Sequence, residues 1–186
     1  MRLFIAIAIP DEIRNALAAF LRELRAIGPA AKWVRAENLH VTLKFLGHTA
    51  PEKLSATEQA LMTIRSPQAV VLQFRGLGLF PNAKCPRVFW TGMDASPNLR
   101  PLAEDIDHVA SRLGFPPENR PFAPHLTLAR FDPPALPGKL GAAIEQHAAV
   151  SFGSLRADTF HLIESKLKPT GAEYTTLQSF PFVTET

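Results

Sequence analysis

Cysteine is nearly absent: Cys85 is the one thiol among 186 residues. That excludes an internal disulfide framework and leaves no cysteine pair for a structural zinc site. Long apolar runs are missing too. The longest, Leu3 to Ile9, falls well short of the roughly 20 residues that span a membrane. It does not read as a secretory signal, because Pro10, Asp11 and Glu12 follow where a small-residue cleavage site belongs. No block of like charge, low-complexity tract or Ser/Gly linker divides the chain into independent domains. A net charge of +3 and a pI near 9.3 are too mild to demand an anionic partner. Seventeen prolines and ten glycines punctuate the chain, yet a 46% hydrophobic content is too high for a disordered protein. These features predict a cytoplasmic, soluble protein with a sizeable core, folded as a single domain or as two lobes over residues 1–186.

Leu3 to Ile9 is apolar on both faces, which predicts a strand in the middle of a sheet. Asp11 is a candidate N-cap for a helix carrying Ile13, Leu17, Phe20, Leu21 and Leu24 on one face and ending at Gly28-Pro29. A second helix is expected from about Pro51, with Leu54, Leu61 and Met62 inward. A third is capped by Ser96, with Pro97 in its first turn and a stripe of Leu99, Leu102, Ile106, Val109 and Leu113 up to Gly114. A fourth runs from about Gly138 to Ala148. Strands are expected at 40–46, 70–74, 88–91, 125–131, 158–164 and 174–180, the last two joined through Lys168-Pro169-Thr170-Gly171 as a hairpin. The pattern is α+β, with antiparallel or mixed sheets.

Compared with itself, the chain shows one repeated pattern. His40-Val41-Thr42-Leu43 and His125-Leu126-Thr127-Leu128 both read His-apolar-Thr-apolar, 85 residues apart, close to half the chain. Random placement of 6 His and 12 Thr gives about 0.08 such matches, so two by accident are improbable. In a strand, positions i and i+2 share a face. Each tetrad therefore sends His and Thr one way and two apolar residues into a core. Imidazole and hydroxyl together make poor packing but a good cleft, and two facing tetrads would bring two of each to one pocket. Histidines near pKa 6.5 can hold opposite protonation states at neutral pH, one taking a proton and the other giving one. Hydroxyls can donate to nonbridging phosphate oxygens where charge develops. The set suits phosphoryl chemistry and needs no metal or cofactor.

With its flanks the pattern extends further: Arg2 to Ile7, Asn38 to Gly47, Gly76 to Pro81 followed by Pro86 to Trp90, Asn119 to Arg130, Leu162 to Leu167, and Gly171 to Tyr174. Over these segments the chain resembles the 2H phosphoesterases, and more closely their bacterial and archaeal RNA 2′,3′-cyclic phosphodiesterase branch, first described as 2′-5′ RNA ligases. The resemblance implies a bilobal, LigT-like α+β fold whose two pseudo-symmetric lobes face each other with antiparallel sheets and carry helices outside. It implies hydrolysis of a terminal 2′,3′-cyclic phosphate of RNA, or of a nucleotide, to a 2′-phosphate; the chain itself is expected to act as a monomer. By similarity His40 is the proton donor, His125 the proton acceptor, and Thr42 and Thr127 hold the phosphate. Arg130 is a further candidate, but strict alternation puts it on the opposite face from His125 and Thr127, so only a bulge or strand end would let it reach.

Other residues have plainer readings. His48, His108, His147 and His161 lack a Thr partner and read as surface or core histidines. Gly76-x-Gly78 lacks the third glycine and following helix of a dinucleotide loop and reads as a strand irregularity. Phe80 beside it is a candidate for stacking on a base. Trp33 and Trp90 read as core packing. Arg120, Lys44 and Lys166 could line an RNA groove, but each reads more simply as a solvated charge. Cys85 sits in a proline-bounded loop with nothing to activate a thiol. Three other functions fit the tetrads: 2′-5′ RNA joining or splitting, cleavage of a small cyclic nucleotide, and non-catalytic binding of RNA ends.

Overall fold

In the computed structural model, which describes residues 1–119, 122–169 and 171–183, the chain builds two antiparallel sheets and four α-helices. The order along the chain is β1 (Arg2–Ala8), α1 (Asp11–Ile27), β2 (Lys32–Trp33), β3 (His40–His48), α2 (Leu54–Leu61), β4 (Val70–Phe80), β5 (Val88–Ala95), α3 (Leu99–Arg112), β6 (His125–Arg130), α4 (Gly138–Gln146), β7 (Ser151–Ala157), β8 (Thr159–Lys168) and β9 (Gly171–Pro181). The first sheet runs β3-β1-β8-β9 and the second β2-β6-β5-β4-β7. The fold is α+β and bilobal. None of the described helices is long and apolar enough to cross a membrane.

The central strand β1 is buried on both faces because both are apolar. Leu3, Ile5 and Ile7 join the main core, while Phe4 and Ala6 form a separate small cluster with Ile163 on the other face. That second face lines the groove described below. The main core is one continuous cluster that takes in both sheets, with Val41 and Leu43 of β3 and Leu126 and Leu128 of β6 fully inside it.

The helices tie the lobes together. α1 follows β1 of the first sheet but packs against β7 of the second and against α4. Gly28 at its end lies against Leu140, so close that a Cβ would meet Leu140 Cδ2 at 2.5 Å. α3 follows β5 of the second sheet and returns to pack on β3 of the first. Two expected caps differ. α1 begins at Asp11 itself, whose carboxylate pairs with Arg14 instead of capping. α3 begins at Leu99, after Pro97, because the Ser96 hydroxyl is engaged elsewhere: it accepts from Val71 N–H and donates to Asn98. Two strands escaped the sequence pattern, β2 for its length and β7 because SFGSLRA alternates poorly.

Lys44 is neither a solvated charge nor a groove cation. Its side chain is buried and donates to Asp107 Oδ1 of α3 at 2.5 Å and to the Pro116 carbonyl at 2.8 Å. The same Asp107 oxygen accepts from Glu118 N–H. The pair clips β3 to α3 and to the segment that leads into β6. Lys166 does sit at the surface, paired with Glu164. Arg120 lies outside the described residues.

Candidate active site

The two tetrads occupy the first four positions of β3 and β6, and both strands show the same burial pattern over six residues: half-buried, buried, half-buried, buried, buried, exposed. The doubled buried position marks a bulge. Thr42 pairs with Ala6 and Lys44 with the very next residue back, Ile5, leaving Leu43 unmatched. Thr127 pairs with Trp90 and Ala129 with Phe89, leaving Leu128 unmatched. An extra residue resets the alternation. Beyond each bulge the side chain that joins His and Thr on the groove face is therefore the sixth, Phe45 in one lobe and Arg130 in the other. This is the irregularity that Arg130 needed.

His40, Thr42, Phe80, His125, Thr127 and Arg130 all line one cavity of about 1930 Å³ between the lobes. Each imidazole is oriented by the main chain two residues before it. His40 Nδ1 lies 2.6 Å from the Asn38 carbonyl, and His125 Nδ1 lies 2.8 Å from the Ala123 carbonyl. A carbonyl only accepts, so each Nδ1 carries the proton and each Nε2 is left to exchange one. Asn38 is itself held, donating from Nδ2 to the Ala172 carbonyl of β9 at 2.7 Å.

The surroundings of the two rings differ. His40 is packed between Phe4, at 4.6 Å between centroids, and Tyr174, edge-on at 5.2 Å. Burial holds its pKa below the usual histidine value, opposed in part by the bond to Asn38. His125 meets the edge of Phe80 at 5.7 Å. Phe80 stacks in turn on Trp90 at 5.1 Å. Burial raises the Tyr174 phenol, while the charges of Arg2 and Arg130 act the other way, which places both cations near it. Arg2, Arg87 and Arg130 line the cavity, and among the described residues none is ion-paired.

Trp90 differs from its expected place. It pairs with Thr127 and so lies on the sheet face that carries Thr127, where it backs Phe80 without itself lining the cavity, and its indole N–H is buried without a partner. Gly78 makes the room, since a Cβ there would lie 2.1 Å from the indole. Gly76, at φ +74°, sits where the β4–β5 register shifts, so the Gly-x-Gly segment is indeed a strand irregularity. Trp33 packs against the core and donates to the Gly28 carbonyl. Sequence reasoning missed Asn38, Phe4, Phe45, Tyr174 and Arg2 as groove residues. Extending the tetrad comparison by two positions would have paired Phe45 with Arg130.

Two antiparallel sheets that each offer a His-x-Thr strand to a shared groove define a class: bilobal α+β proteins with a paired-histidine site. The chain belongs to the LigT like Phosphoesterase family, whose model matches residues 7–90 and 93–174. Among curated proteins it is similar to the RNA 2′,3′-cyclic phosphodiesterase of Methanocaldococcus jannaschii, with 37% identity over 97% of this chain and 100% of the relative. The protein of that name from Archaeoglobus fulgidus is 34% identical over 97% of this chain and 99% of its own. Among solved structures, Escherichia coli LigT complexed with 3′-AMP superposes with a TM-score of 0.78 at 31% identity, over 98% of each chain. The crystal structure of a Thermus thermophilus protein gives 0.79 at 33%, over 97% of each.

Proposed function

We propose that the protein is an RNA 2′,3′-cyclic phosphodiesterase that opens a terminal cyclic phosphate to a 2′-phosphate. The observation that carries this reading is the matched pair of imidazoles, each locked at Nδ1 by a carbonyl and each presenting Nε2 to one groove. Full-length similarity to curated enzymes of that name supports it. His125 Nε2 takes a proton from water as the water oxygen bonds to phosphorus. The bond from phosphorus to the ribose 3′ oxygen breaks, and His40 Nε2 gives its proton to that oxygen. Solvent returns both rings to their starting states. The Thr42 and Thr127 hydroxyls and the Arg130 guanidinium hold the nonbridging oxygens, where charge is concentrated in the transition state. Phe80 stacks on the terminal base.

The burial that depresses His40 makes it a readier proton donor once charged, and the bound phosphodiester anion favours the charged form. One chain supplies both lobes of the groove, so we take the working unit to be a monomer, one domain of two intertwined lobes, acting in the cytoplasm.

The test is turnover of an RNA oligomer ending in a 2′,3′-cyclic phosphate, in EDTA, with the product identified as 2′- or 3′-phosphate. Wild type should yield the 2′-phosphate. His40→Ala and His125→Ala should each lower kcat by about 10²- to 10⁴-fold. Full activity in either variant, or a 3′-phosphate product, sinks the assignment. Tight binding of cyclic ends without turnover would instead favour an RNA-end-binding protein.

A further inference from the structure

The two motif strands match in sequence, bulge and burial, yet they differ at the side chain the bulge brings onto the groove face. One lobe places Arg130 there, the other Phe45. A cation suits a phosphate. A phenyl ring left 60% exposed, touching Phe4 on one side only, is not explained by packing. Among the described residues the large exposed aromatics are Phe45, Phe80 and Tyr174, and all three line the groove. Aromatic faces held open beside unpaired arginines are how single-stranded RNA is gripped, each base on a ring and each phosphate near a cation.

Phe80 lies against His125 and Tyr174 against His40, so both belong to the reacting nucleotide. Phe45 is five positions along β3 from His40. Its ring is 6.2 Å from Phe4, which is 4.6 Å from His40, so it stands no more than about 11 Å from that imidazole. Arg2 precedes Phe4 by two residues on β1, shares its face, and lines the cavity without an ion pair among the described residues. The cavity, at about 1930 Å³, exceeds the roughly 300–1,000 Å³ of sites that hold one small molecule.

We infer that Phe45 is the stacking platform for the penultimate base, with Arg2 facing the phosphate that links the last two nucleotides. The groove then selects an RNA end over a cyclic mononucleotide. The inference rests on the hydrolytic reading above and adds its substrate length.

Three substrates test it: a dinucleotide ending in a 2′,3′-cyclic phosphate, the same dinucleotide abasic at its first position, and a 2′,3′-cyclic mononucleotide. Wild type should prefer the intact dinucleotide to the abasic one by about tenfold in kcat/KM, the worth of one base stacked on one ring. Phe45→Ala should bring that ratio close to one, and Phe45→Trp should restore it. A wild type that treats intact and abasic dinucleotides alike, or a Phe45→Ala variant that keeps the preference, overturns the inference and leaves the hydrolytic reading standing. A wild type that opens none of the three removes the hydrolytic reading, and the inference with it.

Discussion

Each motif imidazole is committed to one tautomer by a carbonyl two residues before it, so the lobes leave the same nitrogen, Nε2, uncommitted by the same local device. What separates the two rings is their company. His40 is pressed between Phe4 and Tyr174, and burial costs its cation more than its neutral form. In an NMR titration of the free protein its ring should therefore turn over below 6.5, and added inorganic phosphate should raise the midpoint. A midpoint at or above 6.5 without phosphate contradicts the burial argument. The folded value lies below the unfolded one, so the stability contributed by neutral His40 is complete above pH 6.5 and is lost as pH falls through the folded value. His161, also depressed by burial, contributes with the same sign. That His40 and Thr42, like His125 and Thr127, share a face was legible in the sequence because a His-x-Thr pair needs only period-two geometry. The difference between the two histidines was not, because Phe4 and Tyr174 arrive from β1 and β9.

The bulges do at the level of a strand what no single residue could. Without Leu128 unmatched, Arg130 would point away from His125 and Thr127. Without Leu43 unmatched, Lys44 would face the groove instead of Asp107. A bulge depends on how the neighbouring strand pairs, and that partner is distant in the chain, so alternation within β3 or β6 could not reveal it. The glycines of β4 serve the same wall. Gly78 lets the Trp90 indole lie flat behind Phe80, and the Thr91 hydroxyl donates to the Gly76 carbonyl at the register shift. Gly78→Ala should force the indole out, lowering stability by about 1–3 kcal/mol in urea unfolding and weakening turnover with it. An unchanged urea midpoint would show that Trp90 has another place to go.

Across the molecule, the chain passes repeatedly between the lobes, and Lys44 with Asp107 is where that crossing is fastened. The ammonium is buried on β3, its carboxylate partner comes from α3, and the Glu118 amide on the way to His125 binds the same oxygen. Asp107→Ala strands a buried charge and should cost about 3 kcal/mol in urea unfolding. Replacing both partners, as Lys44→Met with Asp107→Leu, should cost less, because no buried charge is left unpaired. Equal stability of Asp107→Ala and wild type would refute this role. The sequence by itself established the strand and helix types, the α+β pattern and the two matched tetrads, since each follows from local periodicity. The groove, the face taken by Arg130 and Phe45, the burial of Lys44 and the wall made by Trp90 were settled only when distant strands paired. Those features depend on which backbone lies alongside which, and no periodicity within one segment carries that information.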